Sequence, residues 1–336
     1  MNFFSTFLSG STSIISSLGN NSDRLVVSSS SSFAFYNRVN GNYVYQNTIS
    51  AGAGETDFKI SKDGTYIVCD GGSNPALFKY NGTTFAKVSA TFTNNMSDLR
   101  HTDISPDNAF VVGGGITFAS SSVYLNVFRM ASDVPTNIIS LSDSNTKVRA
   151  VKFSKTGKYL IVGLNTGLGL GTDSTAIYVK SSNTYVLSST IPNVGTNAVD
   201  FFNNDSKMVT YSATNNTISI YDVNTTTNVF TLVKSHILSG STILDLKISP
   251  NNKYLMTNAF SSNNASTAIY RLKSDNELVK CYKALPFKSY TYQTGEFIDN
   301  NSVLFMGDLN TGPVFVNGFV YENFTNPTNR LPLIKG

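Results

Sequence analysis

The stretch VKFSKTGKYLIV, residues 151–162, decides the fold. Two short apolar segments flank the polar turn sequence SKTGK, and apolar residues alternate with a polar one before the turn. Alternation with a period of two is typical of a β-strand that buries one face, and a Thr-Gly pair suits the tight turn of a hairpin. This stretch therefore predicts a β-hairpin.

The same pattern recurs along the whole chain, so an internal repeat governs the architecture. The first apolar residue after each turn marks one copy, and these markers stand 41 to 49 residues apart. The other copies are FKISKDGTYIV (58–68), TDISPDNAFVV (102–112), VDFFNNDSKMVTY (199–211), LKISPNNKYLM (246–256), FIDNNSVLFM (297–306) and a degenerate NNSDRLVVS (20–28). The markers are Leu25, Tyr66, Phe110, Tyr159, Met208, Tyr254 and Val303.

A repeat of about 40–50 residues accommodates a four-stranded propeller blade. Seven copies predict a single all-β domain over residues 1–336, a seven-bladed β-propeller of four-stranded antiparallel blades. We expect Phe319–Phe324 to pair with Pro313–Asn317 as the outermost strand of the last blade. The blades are predicted at 12–49, 56–92, 98–141, 147–191, 196–234, 243–284 and 290–324, with 1–11 and 325–336 as terminal segments.

The phrases ISPDNAFVV, VKFSKTGKYLIVG and ISPNNKYLM resemble the inner hairpin of WD-repeat and YVTN-like propellers. The resemblance covers nearly the whole chain and implies the propeller fold, whereas that superfamily includes scaffolds, receptors, structural proteins and lactonase-like enzymes. The chain has no tryptophan and therefore no Trp-Asp pair, and no Gly-His pair precedes an inner strand. Tyr221-Asp222 comes nearest to the missing dipeptide.

Composition restricts the possible partners. Charged residues make up 14% of the chain, against roughly 25% in typical soluble domains, and the net charge is +4. The basic residues are scattered, which argues against nucleic acid as a partner. No segment has the apolar length of a transmembrane helix, and the N-terminus lacks the pattern of a secretory signal. We therefore expect the chain to be cytoplasmic or part of a virion or other assembly.

The two cysteines, Cys69 and Cys281, lie in apolar, strand-like segments. This context favours two buried, unpaired thiols over a disulfide or a metal pair. The assigned strands belong to different blades, so their Cα atoms should lie beyond the roughly 7 Å limit for a disulfide.

Three patterns in the sequence could carry chemistry. His101 and Asp103 stand two apart on one predicted strand, which would suit an acid–base pair or part of a metal site, although a structural polar pair is favoured. The only other histidine, His236, is predicted in a loop, so a multi-histidine metal centre is not expected. The glycines of 167–172 precede a predicted strand and not the helix that a phosphate-binding loop requires. The serine runs lack a nucleophile elbow. We expect no catalytic, cofactor or metal residues.

One polar residue stands between two apolar ones on each inner strand, and its charge alternates from blade to blade. We interpret these residues as a structural ring of opposite charges around the central axis, with a polar ligand-binding channel as the alternative. The six residues are Lys59, Asp103, Lys152, Asp200, Lys247 and Glu296.

Long, variable connections are predicted at 113–122, 163–175 and 258–267. They carry the apolar residues Phe118, Leu168 and Phe260, which we take as candidates for a partner-binding face, because recognition is often built on loops of a rigid scaffold.

These observations favour a non-catalytic propeller, a protein-binding or structural component of a large assembly such as a virion, tail or surface appendage. Its partners would be other proteins, and it would need no cofactor. Two alternatives stay open, a cytoplasmic WD-repeat-like adaptor scaffold and a lactonase-like enzyme acting on a small molecule.

Overall fold

The repeated hairpins form antiparallel sheets throughout the described part of the chain. The computed structural model describes residues 15–18, 24–29, 32–39, 42–50, 58–70, 75–88, 92, 96, 99–115, 123–142, 146–166, 173–192, 194–238, 242–260, 266–283, 294–297, 302–306 and 313–317. Their regular secondary structure consists of β-strands, and none of these residues belongs to a helix long and apolar enough to cross a membrane.

Strands follow one another in chain order within each sheet, from the innermost to the outermost. The first three sheets are β1 (Ile15–Leu18), β2 (Arg24–Ser29), β3 (Ser32–Val39) and β4 (Asn42–Ser50); β5 (Phe58–Ile60), β6 (Tyr66–Asp70), β7 (Pro75–Tyr80) and β8 (Phe85–Lys87); and β9 (Leu99–Ile104), β10 (Phe110–Gly115), β11 (Val123–Ala131) and β12 (Val134–Ser142). The next three are β13 (Thr146–Phe153), β14 (Tyr159–Thr166), β15 (Ser174–Ser181) and β16 (Thr184–Pro192); β17 (Ala198–Phe201), β18 (Lys207–Ser212), β19 (Thr217–Asn224) and β20 (Val229–Ile237); and β21 (Thr242–Ile248), β22 (Tyr254–Phe260), β23 (Ser266–Leu272) and β24 (Leu278–Lys283). The last described sheet has β25 (Thr294–Phe297), β26 (Ser302–Met306) and β27 (Pro313–Asn317).

The innermost strands of successive sheets contact one another around an axis. β1 contacts β5, β5 contacts β9, and the series continues through β13, β17 and β21 to β25, which contacts β1. This arrangement confirms an all-β propeller with four-stranded antiparallel blades, which we number in chain order. The predicted fourth strand at 319–324 lies outside the described residues.

Apolar residues on both faces of each sheet form the core between neighbouring blades. Ile161 of blade 4, for example, lies with Phe201 and Met208 of blade 5 in one buried cluster. At Gly163 a Cβ atom would stand 1.9 Å from the carbonyl oxygen of Thr196, so only glycine allows blade 5 to approach this closely. Close packing of this kind leaves no room for an added methylene group.

The short turns after the innermost strands have the predicted chemistry. Gly64 and Gly157 have φ values of 71° and 76°, and Asn108 and Asn252 have φ values of 57° and 60°. Glycine and asparagine tolerate this left-handed region better than other residues do.

A buried serine opens each of these turns and fixes it by hydrogen bonds. In blade 2 the Ser61 hydroxyl donates to Asp63 Oδ1 at 2.6 Å and accepts from the backbone N–H of Tyr66 at 2.8 Å. Ser105, with Asp107 and Phe110, repeats both contacts in blade 3.

Blade 4 obtains its turn carboxylate from the next blade. Thr156 occupies the position that Asp63 has in blade 2, and the buried Asp205 of blade 5 reaches across in its place. Ser154 Oγ donates to Asp205 Oδ2 at 2.6 Å, and Thr156 Oγ1 donates to the same oxygen. The turns of blades 4 and 5 therefore form one hydrogen-bonded unit.

Two predicted details differ from the structure. The long connections of blades 3, 4 and 6 are shorter than expected, because β10 extends to Gly115, β14 to Thr166 and β22 to Phe260. Neither Cys69 of β6 nor Cys281 of β24 forms a disulfide, but only Cys69 is buried, because Cys281 lies on an outermost, half-covered strand.

Candidate functional site

The six residues of the predicted ring all lie on innermost strands, at equivalent positions. In β9 the ring residue Asp103 pairs with Val112, and in β13 the ring residue Lys152 pairs with Ile161. In each case the partner is the third residue of the second strand of the blade. Ser17 is the register equivalent in blade 1, since it pairs with Val26. The side chain of Glu296 lies outside the described residues, although its strand β25 is described.

The two described carboxylates of the ring join neighbouring blades. Buried Asp103 accepts a 2.7 Å hydrogen bond from the backbone N–H of Phe153 in blade 4. Asp200 of blade 5 accepts the equivalent 2.7 Å bond from the N–H of Ile248 in blade 6. These carboxylates thus act as clamps between innermost strands, a role that the sequence interpretation did not include.

Asp200 has a cationic partner that was not foreseen. Lys155 Nζ lies 2.7 Å from Asp200 Oδ1, and only 2% of the Asp200 side chain is exposed. The partner therefore comes from the turn of blade 4 and not from the ring lysines on either side.

A β-bulge shifts the alternation of side chains in the first half of β9, β13 and β21. The pairing skips Arg100, Arg149 and Leu244, so each of these residues shares its partner position with the residue that follows it. A bulge adds one residue to a strand and re-aims the side chains beside it. The residues after the bulge, His101 and Asp245 among them, therefore share a face with the ring residue two places on.

Asp245 is the most informative of these residues. It lies deep among protein atoms, yet 38% of its side chain is exposed, as expected for a residue that faces a water-filled channel. Burial works to raise its pKa, but the charges of Lys247, Lys59 and Lys152 outweigh it and hold the pKa below its usual range. Lys247 Nζ is 3.3 Å from Asp245 Oδ2.

These three lysines come from blades 2, 4 and 6, which are not neighbours in the ring. Their charges can act on one carboxylate only because their side chains approach the central axis. The channel therefore concentrates Lys59, Lys152, Lys247 and Asp245 in one place, with Asp103 buried beside them. These side chains therefore form one charged site, and not separate ion pairs between neighbouring blades.

Asp103 differs from Asp245 in the direction in which its pKa is shifted. Burial raises its pKa, although the charge of Lys152 and the N–H of Phe153 act in the opposite direction. Because the folded-state pKa is raised, the folded protein holds the proton more tightly than the unfolded chain does. The contribution of this group to stability is therefore greatest at low pH and is lost as the pH rises through the folded pKa.

This sign leads to a prediction for Asp103→Asn. The amide keeps an oxygen that accepts from the N–H of Phe153 and removes the cost of a buried negative charge. We expect the thermal unfolding midpoint of the variant at pH 7 to equal or exceed that of the unmodified protein, with the difference shrinking in acid. A midpoint several degrees lower at pH 7 would show that the ionised form is required.

His101 lies on β9 beside this site, and the other histidine does not. His101 is half-buried and pairs across the sheet with Gly114. His236 belongs to the outermost strand β20, which corrects its predicted place in a loop. Its Nε2 lies 3.0 Å from the carbonyl oxygen of Asn276, and its Nδ1 lies 3.9 Å from Glu277 Oε2. Within the described residues no group of three or more side chains could hold a metal ion.

The remaining predicted residues contribute little to this site. Phe118, Leu168 and the glycines of 167–172 lie outside the described residues, and the strand β15 follows that segment as predicted. Phe260 ends strand β22 and is not in a loop.

Sequence reasoning missed Asp245, Arg100 and Arg149. Simple alternation places Arg100 and Arg149 on the face opposite the ring residues, because each stands three residues before one of them. Asp245 stands two residues before Lys247, so alternation already places it on the ring face. A signal was present in the spacing from the turn serines. Arg100 and Arg149 both stand five residues before the serine of their own blade, and His101 and Asp245 stand four before. An alignment of the repeats on that serine places Arg100 with Arg149, and His101 with Asp245, at equivalent positions of the innermost strands.

Comparison with known proteins places the fold among characterised propellers. No family model and no curated protein matches the chain. Similar solved structures include the periplasmic gluconolactonase PpgL of Pseudomonas aeruginosa, with a TM-score of 0.68, 10% identity and coverage of 90% of this chain and 91% of that chain. A Bacteroides uniformis protein assigned as a 6-phosphogluconolactonase has a TM-score of 0.63 and 16% identity over 81% of this chain and 85% of that chain.

A third similar structure is the Cps50 (Swd1) β-propeller domain of Myceliophteria thermophila. Its TM-score is 0.64 at 11% identity, over 88% of this chain and 93% of that chain. Identities this low show the fold alone. The presence of lactonases among these neighbours contradicts the expectation of a non-catalytic protein and agrees better with the lactonase-like alternative. The chain shares the β-propeller fold of WD-repeat and gluconolactonase proteins.

Proposed function

We propose that this protein is a β-propeller hydrolase that opens sugar lactones in its central channel. The observation that carries the proposal is the charged site on the axis. Half-buried His101 and Lys152 lie on the adjacent innermost strands β9 and β13, and the charge of Lys152 acts on the carboxylate of Asp245. Solved propellers of similar shape are a gluconolactonase and proteins assigned as 6-phosphogluconolactonases, which supports the choice of reaction.

The proposal includes seven blades in a closed ring. Seven described sheets and the contact between β1 and β25 support this count. Residues 319–324 would supply the outermost strand of the last blade. Closure by that strand would protect a sheet edge that is otherwise free to pair.

A lactone is a cyclic ester, so its hydrolysis requires a nucleophilic water and a group that stabilises the negative oxygen of the tetrahedral intermediate. We assign His101 as the base that takes a proton from water while the oxygen attacks the carbonyl carbon. The ammonium group of Lys152 stabilises the oxyanion. The ring C–O bond then breaks, and the leaving oxygen receives the proton from the imidazolium, which gives the hydroxy acid.

Asp245 and the other lysines set the electrostatics around these groups. Because its pKa is lowered, Asp245 is ionised at neutral pH and is a poor proton acceptor. Its negative charge attracts the ammonium groups of Lys247, Lys59 and Lys152. Because the site is half-buried, its effective dielectric constant is below that of bulk water, which strengthens each of these interactions.

The test is direct. Purified protein is mixed with glucono-δ-lactone, and the acid released is measured with a pH indicator in weak buffer. Lactones also hydrolyse without an enzyme, so the rate is compared with that of heat-denatured protein. Saturable acceleration supports the proposal. No acceleration with glucono-δ-lactone or its 6-phosphate overturns it.

A further inference from the structure

The innermost strand of blade 4 carries three cationic side chains on one face. The burial pattern of β13 alternates between buried and half-buried until the bulge at Arg149 and then resumes with the opposite parity. Lys147, Arg149 and Lys152 are the half-buried residues of this strand. The bulge therefore aligns three residues that simple alternation would place on different faces.

None of these three cations makes a hydrogen bond or ion pair with another residue in the described part of the chain. Elsewhere in the structure lysines find carboxylates at short range. Lys155 pairs with Asp200 at 2.7 Å, and Lys180 pairs with Asp107 at 2.6 Å. Half-buried cations without such partners are costly to keep and suggest that a bound anion completes them.

Cationic residues also predominate on the innermost strands as a whole. The charge of Lys152 acts at longer range on two carboxylates of the innermost strands, Asp103 and Asp245. The innermost strands β5, β9, β13, β17, β21 and β25 carry the cations Lys59, Arg100, Lys147, Arg149, Lys152 and Lys247 against the carboxylates Asp103, Asp200, Asp245 and Glu296. A channel with this excess of positive charge attracts anions.

We propose that Lys147, Arg149 and Lys152, together the blade 4 strip, bind the anionic group of a small ligand that enters the channel where the innermost strands begin. The group is a phosphate monoester or a carboxylate, because an arginine beside two lysines matches the oxygen geometry of either. The inference deepens the proposed function by giving the substrate or product a charge, but binding itself requires no catalysis.

Titration calorimetry at low ionic strength tests this strip with two probes, inorganic phosphate and gluconate. We expect the unmodified protein to bind one of them and Lys152→Met to weaken that binding by about tenfold or more. Arg149→Met should have a similar effect. It also provides a second variant in case Lys152→Met fails to fold, which thermal unfolding will show. Lys87→Met is the matched control, because Lys87 is exposed on the outermost strand β8, and binding should not change.

The outcomes separate the two proposals. Binding of phosphate, of gluconate or of both, lost in Arg149→Met and kept in Lys87→Met, supports the strip and identifies the anion it prefers. Failure of the unmodified protein to bind either probe, or equal binding by all variants, overturns it. If an anion binds but no lactone is hydrolysed, anion binding by the blade 4 strip is supported and the proposed hydrolase function is contradicted. If a lactone is hydrolysed but neither anion binds, the hydrolase function is supported and anion binding by the strip is contradicted.

Discussion

Replacing His101 with asparagine is expected to lower kcat/KM for lactone hydrolysis by about 10²- to 10⁴-fold, the range typical of losing a general acid–base group. Asparagine keeps the size and polarity of the side chain but cannot accept the proton from the attacking water. Histidine is the side chain whose ordinary titration falls closest to neutral pH, so the loss should be accompanied by a change in the pH profile near neutrality.

The chain supplies its own control for this experiment. His236→Asn makes the same change on the outermost strand β20, away from the channel, and should leave kcat/KM as it is. Both variants are compared by initial rates across a pH series, with thermal unfolding as a check on folding. If His101→Asn retains full activity, or if both variants lose activity equally, His101 is not the base.

Asp200→Ala is expected to cost about 3 kcal/mol of unfolding free energy, at the lower end of the cost of removing one partner from a buried ion pair. The change leaves Lys155 without its carboxylate and the N–H of Ile248 without its acceptor. The lower end applies because Lys155 keeps 31% of its side chain exposed and can recover some hydration. Urea unfolding followed by tyrosine fluorescence gives the measurement.

A second aspartate of blade 5 serves as the comparison. Asp222 pairs with Lys207, but 53% of its side chain is exposed. Asp222→Ala should therefore cost about 1 kcal/mol or less, as exposed ion pairs do. Equal losses for Asp200→Ala and Asp222→Ala would show that the clamp between blades 5 and 6 adds nothing beyond a surface pair.

The propeller fold could be predicted from sequence because its signals are local. Each hairpin can be recognised from alternating apolar residues and from a turn residue that tolerates a positive φ, such as Gly157 or Asn108. The position of each ring residue followed from the same alternation. Strand ends such as Thr166 and Phe260 were less predictable, because a strand continues as far as its neighbour offers backbone partners.

The candidate site was harder to predict because it depends on contacts between blades. The clamp from Asp103 to Phe153 joins residues that belong to different repeats, and no local pattern specifies it. The bulge at Arg149 changes parity without a distinctive residue to mark it. Charge alternation therefore suggested separate neighbouring pairs, whereas the lysines of alternate blades act together on Asp245.

The reach of Asp205 into the turn of blade 4 has a consequence for how this protein could be rearranged. A blade whose turn is completed by the following blade is no longer an interchangeable module. If blade 4 alone were transplanted into another propeller, the hydroxyls of Ser154 and Thr156 would lose their hydrogen-bond acceptor unless the recipient supplied an equivalent carboxylate. Blades 4 and 5 would therefore have to be moved together, as a unit of two repeats, to keep this turn intact.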